Sequence, residues 1–146
     1  MMFEFSKKSL IQSLPIATEY ANKGIELSLK REDLIHPVIS GNKFRKLYYN
    51  IQEAQRLKKH TLLTFGGAYS NHILATAGAG AQYGLKTVGV IRGEELGIDL
   101  SKTLANNTTL QRASAYGMQF KFVSRSEYQQ KGSEEMLHKL AQEFPG

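Results

Sequence analysis

Three short apolar runs set the architecture of this chain. Thr61-Leu62-Leu63-Thr64-Phe65, Lys86-Thr87-Val88-Gly89-Val90-Ile91 and Phe120-Lys121-Phe122-Val123 are each too short for a stable helix. Each has the composition of a buried strand. Helical patterns separate them. Asn71 to Tyr83 is rich in alanine and other small residues, so this helix can approach a sheet closely, and Gly84 is its expected cap. Residues 101–116 read as a second helix stopped by Gly117, and Ser133 to Phe144 as a third. Strands alternating with helices predict an α/β fold, an open parallel sheet flanked by helices. Its crossovers are expected to be right-handed. Ligands of such sheets bind beyond the carboxyl ends of the strands.

Upstream, Leu47, Ile51, Ala54 and Leu57 recur at helical spacing, which predicts a helix over residues 43–59. His36-Pro37 to Gly41 reads as a loop. Ile25-Glu26-Leu27-Ser28-Leu29-Lys30 alternates apolar and polar residues as a half-buried strand does. Residues 1–24 read as irregular, with Pro15 as a breaker.

Composition narrows the function classes. The chain has no cysteine, which excludes disulfides and thiolate chemistry and fits a reducing, cytoplasmic setting. No stretch approaches the roughly 20 apolar residues of a membrane span. Met1 to Ser9 lacks the apolar run of a signal peptide. The net charge is +6, yet the basic residues are dispersed. The one dense cluster, Arg56-Leu57-Lys58-Lys59-His60, falls at a predicted helix end, where positive charge complements the helix dipole. No recognition motif accompanies it, so a nucleic-acid partner is not expected.

Two motifs can carry chemistry. Gly66-Gly67-Ala68-Tyr69-Ser70-Asn71-His72 follows the first parallel strand. Its glycines permit close backbone approach to a ligand. Ser70 or Asn71 can cap the next helix, and the free N–H groups of that terminus suit a carboxylate or phosphate. A plain strand-to-helix turn with a serine cap has the same signature. Gly41-Asn42-Lys43-Phe44-Arg45-Lys46-Leu47 opens the helix at 43. A lysine there is disfavoured by the helix dipole. Arg45 and Lys46 beside it would further disfavour the ammonium and free the amine to attack an aldehyde. Most lysines near helix starts are simply surface residues.

Together these motifs resemble those of the 1-aminocyclopropane-1-carboxylate deaminase and D-cysteine desulfhydrase family. Gly41-Asn42-Lys43-Phe44-Arg45-Lys46-Leu47 is similar to its lysine motif, and Gly66-Gly67-Ala68-Tyr69-Ser70-Asn71-His72 to its Gly-Gly-x-x-Ser-Asn motif. The spacing from Lys43 to Ser70 agrees, and Lys30-Arg31-Glu32-Asp33 resembles the stretch preceding the lysine. The resemblance implies a pyridoxal-phosphate enzyme of the tryptophan-synthase β-subunit fold. Lys43 would bond covalently to the cofactor and later move a proton at the substrate carbon. Asn71 would hydrogen-bond the cofactor's ring hydroxyl. Ser70 and the turn's N–H groups would hold the substrate carboxylate, Ser70 also assisting proton transfer, with Asn71 and His72 beside the substrate. Lys46 would be a nearby charge. His72 tilts the reading toward a desulfhydrase, since the deaminases tend to carry glutamine there. The products would be ammonia and a 2-oxo acid from a small amino acid.

The resemblance also implies what lies elsewhere. Full-length members form homodimers and are much longer. Their phosphate-cradling glycine loop, active-site tyrosine and pyridine-facing group are expected beyond residue 146. Residues 1–45 would then belong to the large domain, and 46–146 to the small α/β domain of this pyridoxal-phosphate fold (fold type II). The strand at 25–30 would lack its sheet partners and expose an edge. Lys43 would face solvent, and the chain alone would bind cofactor poorly and turn nothing over. A non-catalytic domain that assembles with another chain is the alternative reading. Gly78-Ala79-Gly80, inside a predicted helix, reads as close helix packing rather than a ligand loop.

Overall fold

The computed structural model describes residues 8–145. The signal-peptide reading of Met1 to Ser9 falls largely outside them. A three-stranded parallel sheet, ordered β3-β4-β5, organises the chain from residue 61 onward. Its strands are β3 (Thr61–Gly67), β4 (Lys86–Arg92) and β5 (Gln119–Val123). Thr61 pairs with Lys86 and Gly67 with Arg92, while Val88 pairs with Gln119 and Arg92 with Val123. The central strand β4 is buried from Thr87 to Ile91, as a strand covered on both faces requires.

Alternation along the strands separates two apolar layers. On one face lie α2 (Asn42–Arg56), α3 (Asn71–Tyr83) and α5 (Thr108–Ala115). Ile73, Leu74 and Ala77 of α3 meet Leu110 and Ala113 of α5 over Ile91, Phe120 and Phe122. Ala75 and Ala79 of α3 meet Phe44, Leu47 and Ile51 of α2, together with Ile35 and Ile39. The other face packs Val90, Val123, Leu63 and Phe65 against Leu140 of α7 (Glu134–Glu143).

The small residues of α3 are there for contact. A Cβ on Gly78 would stand 2.7 Å from Cγ1 of Val38, and one on Gly80 would collide with Cγ2 of Thr87. Gly78-Ala79-Gly80 is therefore a packing feature. Gly84 caps α3 in the left-handed conformation, φ +67°.

Several expectations need correction. Residues 1–24 are not irregular throughout. β1 (Leu10–Leu14) pairs antiparallel with β2 (Leu27–Arg31), around a short helix α1 (Thr18–Ala21). The strand near 25–30 thus has a partner, although both strands remain largely exposed. The predicted helix over 101–116 is two helices, α4 (Leu100–Asn106) and α5. Between them Asn107 is extended and buried, and its Oδ1 accepts the Leu110 N–H at 2.9 Å. A further helix, α6 (Arg125–Gln129), begins with a capping box formed by Ser124 and Glu127. The basic cluster after residue 55 is exposed as expected, with Arg56 paired to Glu53 at 2.6 Å.

Candidate functional site

β3 carries the chain to the carboxyl edge of the sheet, so α3 starts there. α2 ends just before β3 begins and packs beside α3. It runs back across the same face, and its own first turn lies toward that edge. The topology thus brings Lys43 and the Ser70–Asn71 turn to one end of the molecule, where open parallel sheets bind ligands.

At the α3 start, Ser70 is the cap. Its Oγ accepts the His72 N–H at 3.2 Å, and its own N–H donates to the Gly67 carbonyl at 3.0 Å. Of the two glycines, Gly66 is required by packing, because a Cβ there would lie 2.5 Å from Cγ1 of Ile73. Gly67 has open space where its side chain would be, which leaves its backbone approachable. Asn71 is exposed, and Tyr69 is more so at 77%. Tyr69 walls a groove of about 370 Å³ with Leu96 and Ile98.

His72 is half-buried, and its Nδ1 is buried with no hydrogen-bond partner among the described residues. Burial pushes its pKa down, and the ammonium groups of Lys43 and Lys46 add to the effect. His72 is consequently held neutral, able to accept or donate one hydrogen bond.

Lys43 is half-buried, and its Nζ donates to Oδ1 of Asn42 at 2.6 Å. Arg45, two residues on, is itself paired. Its Nε donates to Oε2 of Glu32 at 3.2 Å, and that carboxylate offsets the guanidinium. Sequence reasoning missed Glu32 as a contributor. The signal was present in Lys30-Arg31-Glu32-Asp33, which the lysine motif follows within a dozen residues.

No protein-family profile matches the chain. Individual proteins do. The chain is 34% identical over 121 residues to the mitochondrial bifunctional D-cysteine desulfhydrase/1-aminocyclopropane-1-carboxylate deaminase of Arabidopsis thaliana, covering 83% of this chain and 30% of that protein. A putative 1-aminocyclopropane-1-carboxylate deaminase of Thermotoga maritima is 37% identical over 123 residues, covering 84% and 37% respectively. The D-cysteine desulfhydrase of Salmonella paratyphi B is 33% identical over 100 residues, covering 68% and 30%. Among solved structures, one described as an ACC deaminase homologue superposes with a TM-score of 0.64 at 29% identity, covering 93% of this chain and 39% of that one. The chain spans about a third of the length of the curated relatives it matches. Agreement of sequence and fold along most of its length places the chain in the 1-aminocyclopropane-1-carboxylate deaminase/D-cysteine desulfhydrase family.

Proposed function

We propose that this chain supplies the lysine-bearing half of a pyridoxal-phosphate site for a deaminase or desulfhydrase acting on a small amino acid. The observation that carries the reading is the convergence of Lys43, Ser70, Asn71 and His72 at the carboxyl edge of the sheet. The residues fit that cofactor's covalent end. Lys43 brings a half-buried primary amine to this end of the molecule, where His72 Nδ1 is buried with no hydrogen-bond partner among the described residues and the backbone at Gly67 has open space beside it. When bound, pyridoxal phosphate supplies an electron sink for charge developing at the substrate's α-carbon.

The chain's own groups divide the remaining work. Lys43 Nζ would hold the cofactor at its aldehyde end, and as a free amine it would hold or move a proton at the substrate's α-carbon. The first-turn N–H groups of α3 and the Ser70 hydroxyl orient the substrate carboxylate. Asn71 offers an amide to the cofactor's ring hydroxyl. His72, kept neutral, places a hydrogen-bonding group beside the substrate without adding a third positive charge. Ammonia and a 2-oxo acid are the proposed products, from D-cysteine or the cyclopropane amino acid. In this reading the full-length protein is a cytoplasmic homodimer, and the phosphate cradle comes from residues outside this chain. Alone, the chain binds cofactor weakly and does not turn over.

Incubation with excess pyridoxal phosphate, borohydride reduction and peptide mass spectrometry tests the reading. Lys43 is expected to carry most of the label, and Lys43→Ala to abolish that share. Label distributed over the lysines according to exposure alone overturns it. A second reading, a non-catalytic domain that assembles with another chain, draws on exposed Leu10, Ile11 and Leu27. Gel filtration showing a stable complex while Lys43 remains unlabelled favours it.

A further inference from the structure

The entry to α2 lacks the usual means of fixing a helix start. Its cap is Gly41, φ +62° and ψ −148°, which has no side chain to accept a first-turn N–H. An uncapped glycine turn leaves orphan N–H groups and a loosely determined direction of entry. Yet this turn must hold Lys43. Two ties from one residue replace the cap. The backbone carbonyl of Glu32 accepts the Gly41 N–H at 2.9 Å. The carboxylate of Glu32 accepts from Arg45 Nε at 3.2 Å. Gly41 stands two residues before Lys43 and Arg45 two residues after it, so the lysine sits midway between the two points held.

Glu32 is itself fixed. Its carboxylate also accepts from Ser9 Oγ and pairs with Lys30 Nζ at 3.2 Å. The loop between Glu32 and Gly41 is anchored by Ile35 and Ile39, both buried against Phe44 and Leu47 of α2. Rotation of the helix start by one residue would turn Lys43 through about 100°.

We infer that Glu32 is a positioning residue for Lys43, clamping the lysine turn through its carbonyl at Gly41 and its carboxylate at Arg45. The inference rests on the reading of Lys43 as the reactive lysine. Glu32 touches neither substrate nor cofactor in this role.

A double-mutant cycle on Lys43 labelling tests it, using the chain as it stands, pyridoxal phosphate as the probe and Lys46 as the internal reference. Glu32→Gln and Arg45→Gln break the same tie from opposite sides. Each is expected to lower the Lys43:Lys46 label ratio about tenfold, the scale on which small misplacements of a reacting group act. The double variant is expected to lose no more than either single one. General destabilisation carries the ratio toward that of the urea-unfolded chain, so the variants are compared under conditions where their denaturation curves show each to be fully folded. An unchanged ratio in Glu32→Gln, or losses that multiply in the double variant, overturns the clamp. Amide hydrogen exchange without cofactor separates this from the functional reading. Should wild-type Lys43 take no label, faster exchange at Gly41 and Phe44, whose N–H groups are bonded to the Glu32 and Gly41 carbonyls, in Glu32→Gln still supports the clamp, and unchanged exchange there overturns it.

Discussion

Ile73 fills the space that a side chain on Gly66 would occupy, with Cγ1 2.5 Å from the ideal Cβ position. The last turn of β3 and the first turn of α3 touch at this point, directly beneath Ser70. Gly66→Ala is therefore expected to destabilise the chain by about 1–3 kcal/mol, the usual cost of overpacking. Adding Ile73→Val should recover part of the loss. Urea denaturation of the two variants at neutral pH measures both effects.

The carboxyl end of α2 contains an opposite opportunity. Lys58 adopts a left-handed conformation, φ +53°. Its N–H donates to the Gln55 carbonyl at 3.0 Å, and the Lys59 N–H donates to Ala54 at 2.8 Å. That pattern commonly ends in glycine. Lys58→Gly is expected to stabilise the chain by about 1 kcal/mol, since a left-handed non-glycine residue costs roughly that much or more. A higher denaturation midpoint with an unchanged slope is the signature.

Acid should weaken the lysine turn. Hydrogen bonds from Ser9 and then Arg45 lower the Glu32 pKa from 4.5 to about 2, with Lys30 adding to them. A carboxyl group with a depressed folded pKa gives stability that is complete above its unfolded value. That stability is lost as pH falls from 4.5 toward 2. Glu32→Gln is expected to flatten the stability profile in that window. Denaturation midpoints measured across it, variant against wild type, decide the matter.

His72 sets a second pH dependence at higher pH. Its folded pKa lies below 6.5 because of burial and then the two nearby lysines. The unfolded chain therefore takes up this proton first, and stability falls as pH drops below 6.5. NMR titration of the imidazole should show a midpoint below 6.5. His72→Gln should remove this part of the stability slope, and a normal or raised midpoint would contradict the assignment.

The parallel sheet and its flanking helices were legible because periodicity reports burial directly. Asn71 to Tyr83 and its Gly84 cap match their expected limits. The break at Asn107 was harder to see, because apolar spacing runs on through it. An Asn-Asn-Thr-Thr sequence nevertheless carried a cap signal. Ser124 and Glu127 announced α6 by the same chemistry. The β1–β2 pairing stayed hidden because neither strand has a strong buried face. At the site, residue types marked Lys43, Ser70 and Asn71, and the family resemblance added His72, but the role of Glu32 depends on a contact across the loop to Arg45. A linear reading sees a carboxylate at 32 without its partner.

The exposed β1–β2 hairpin has a consequence for affinity. Two strands left largely exposed by the described residues open at little cost, and Glu32 follows the end of β2. Molecules with the hairpin open have lost the residue that aims the lysine. Any ligand held by Lys43 then meets only the closed population, and its apparent dissociation constant rises as the inverse of that fraction. Covering the hairpin would tighten binding at a site that the covering surface never touches.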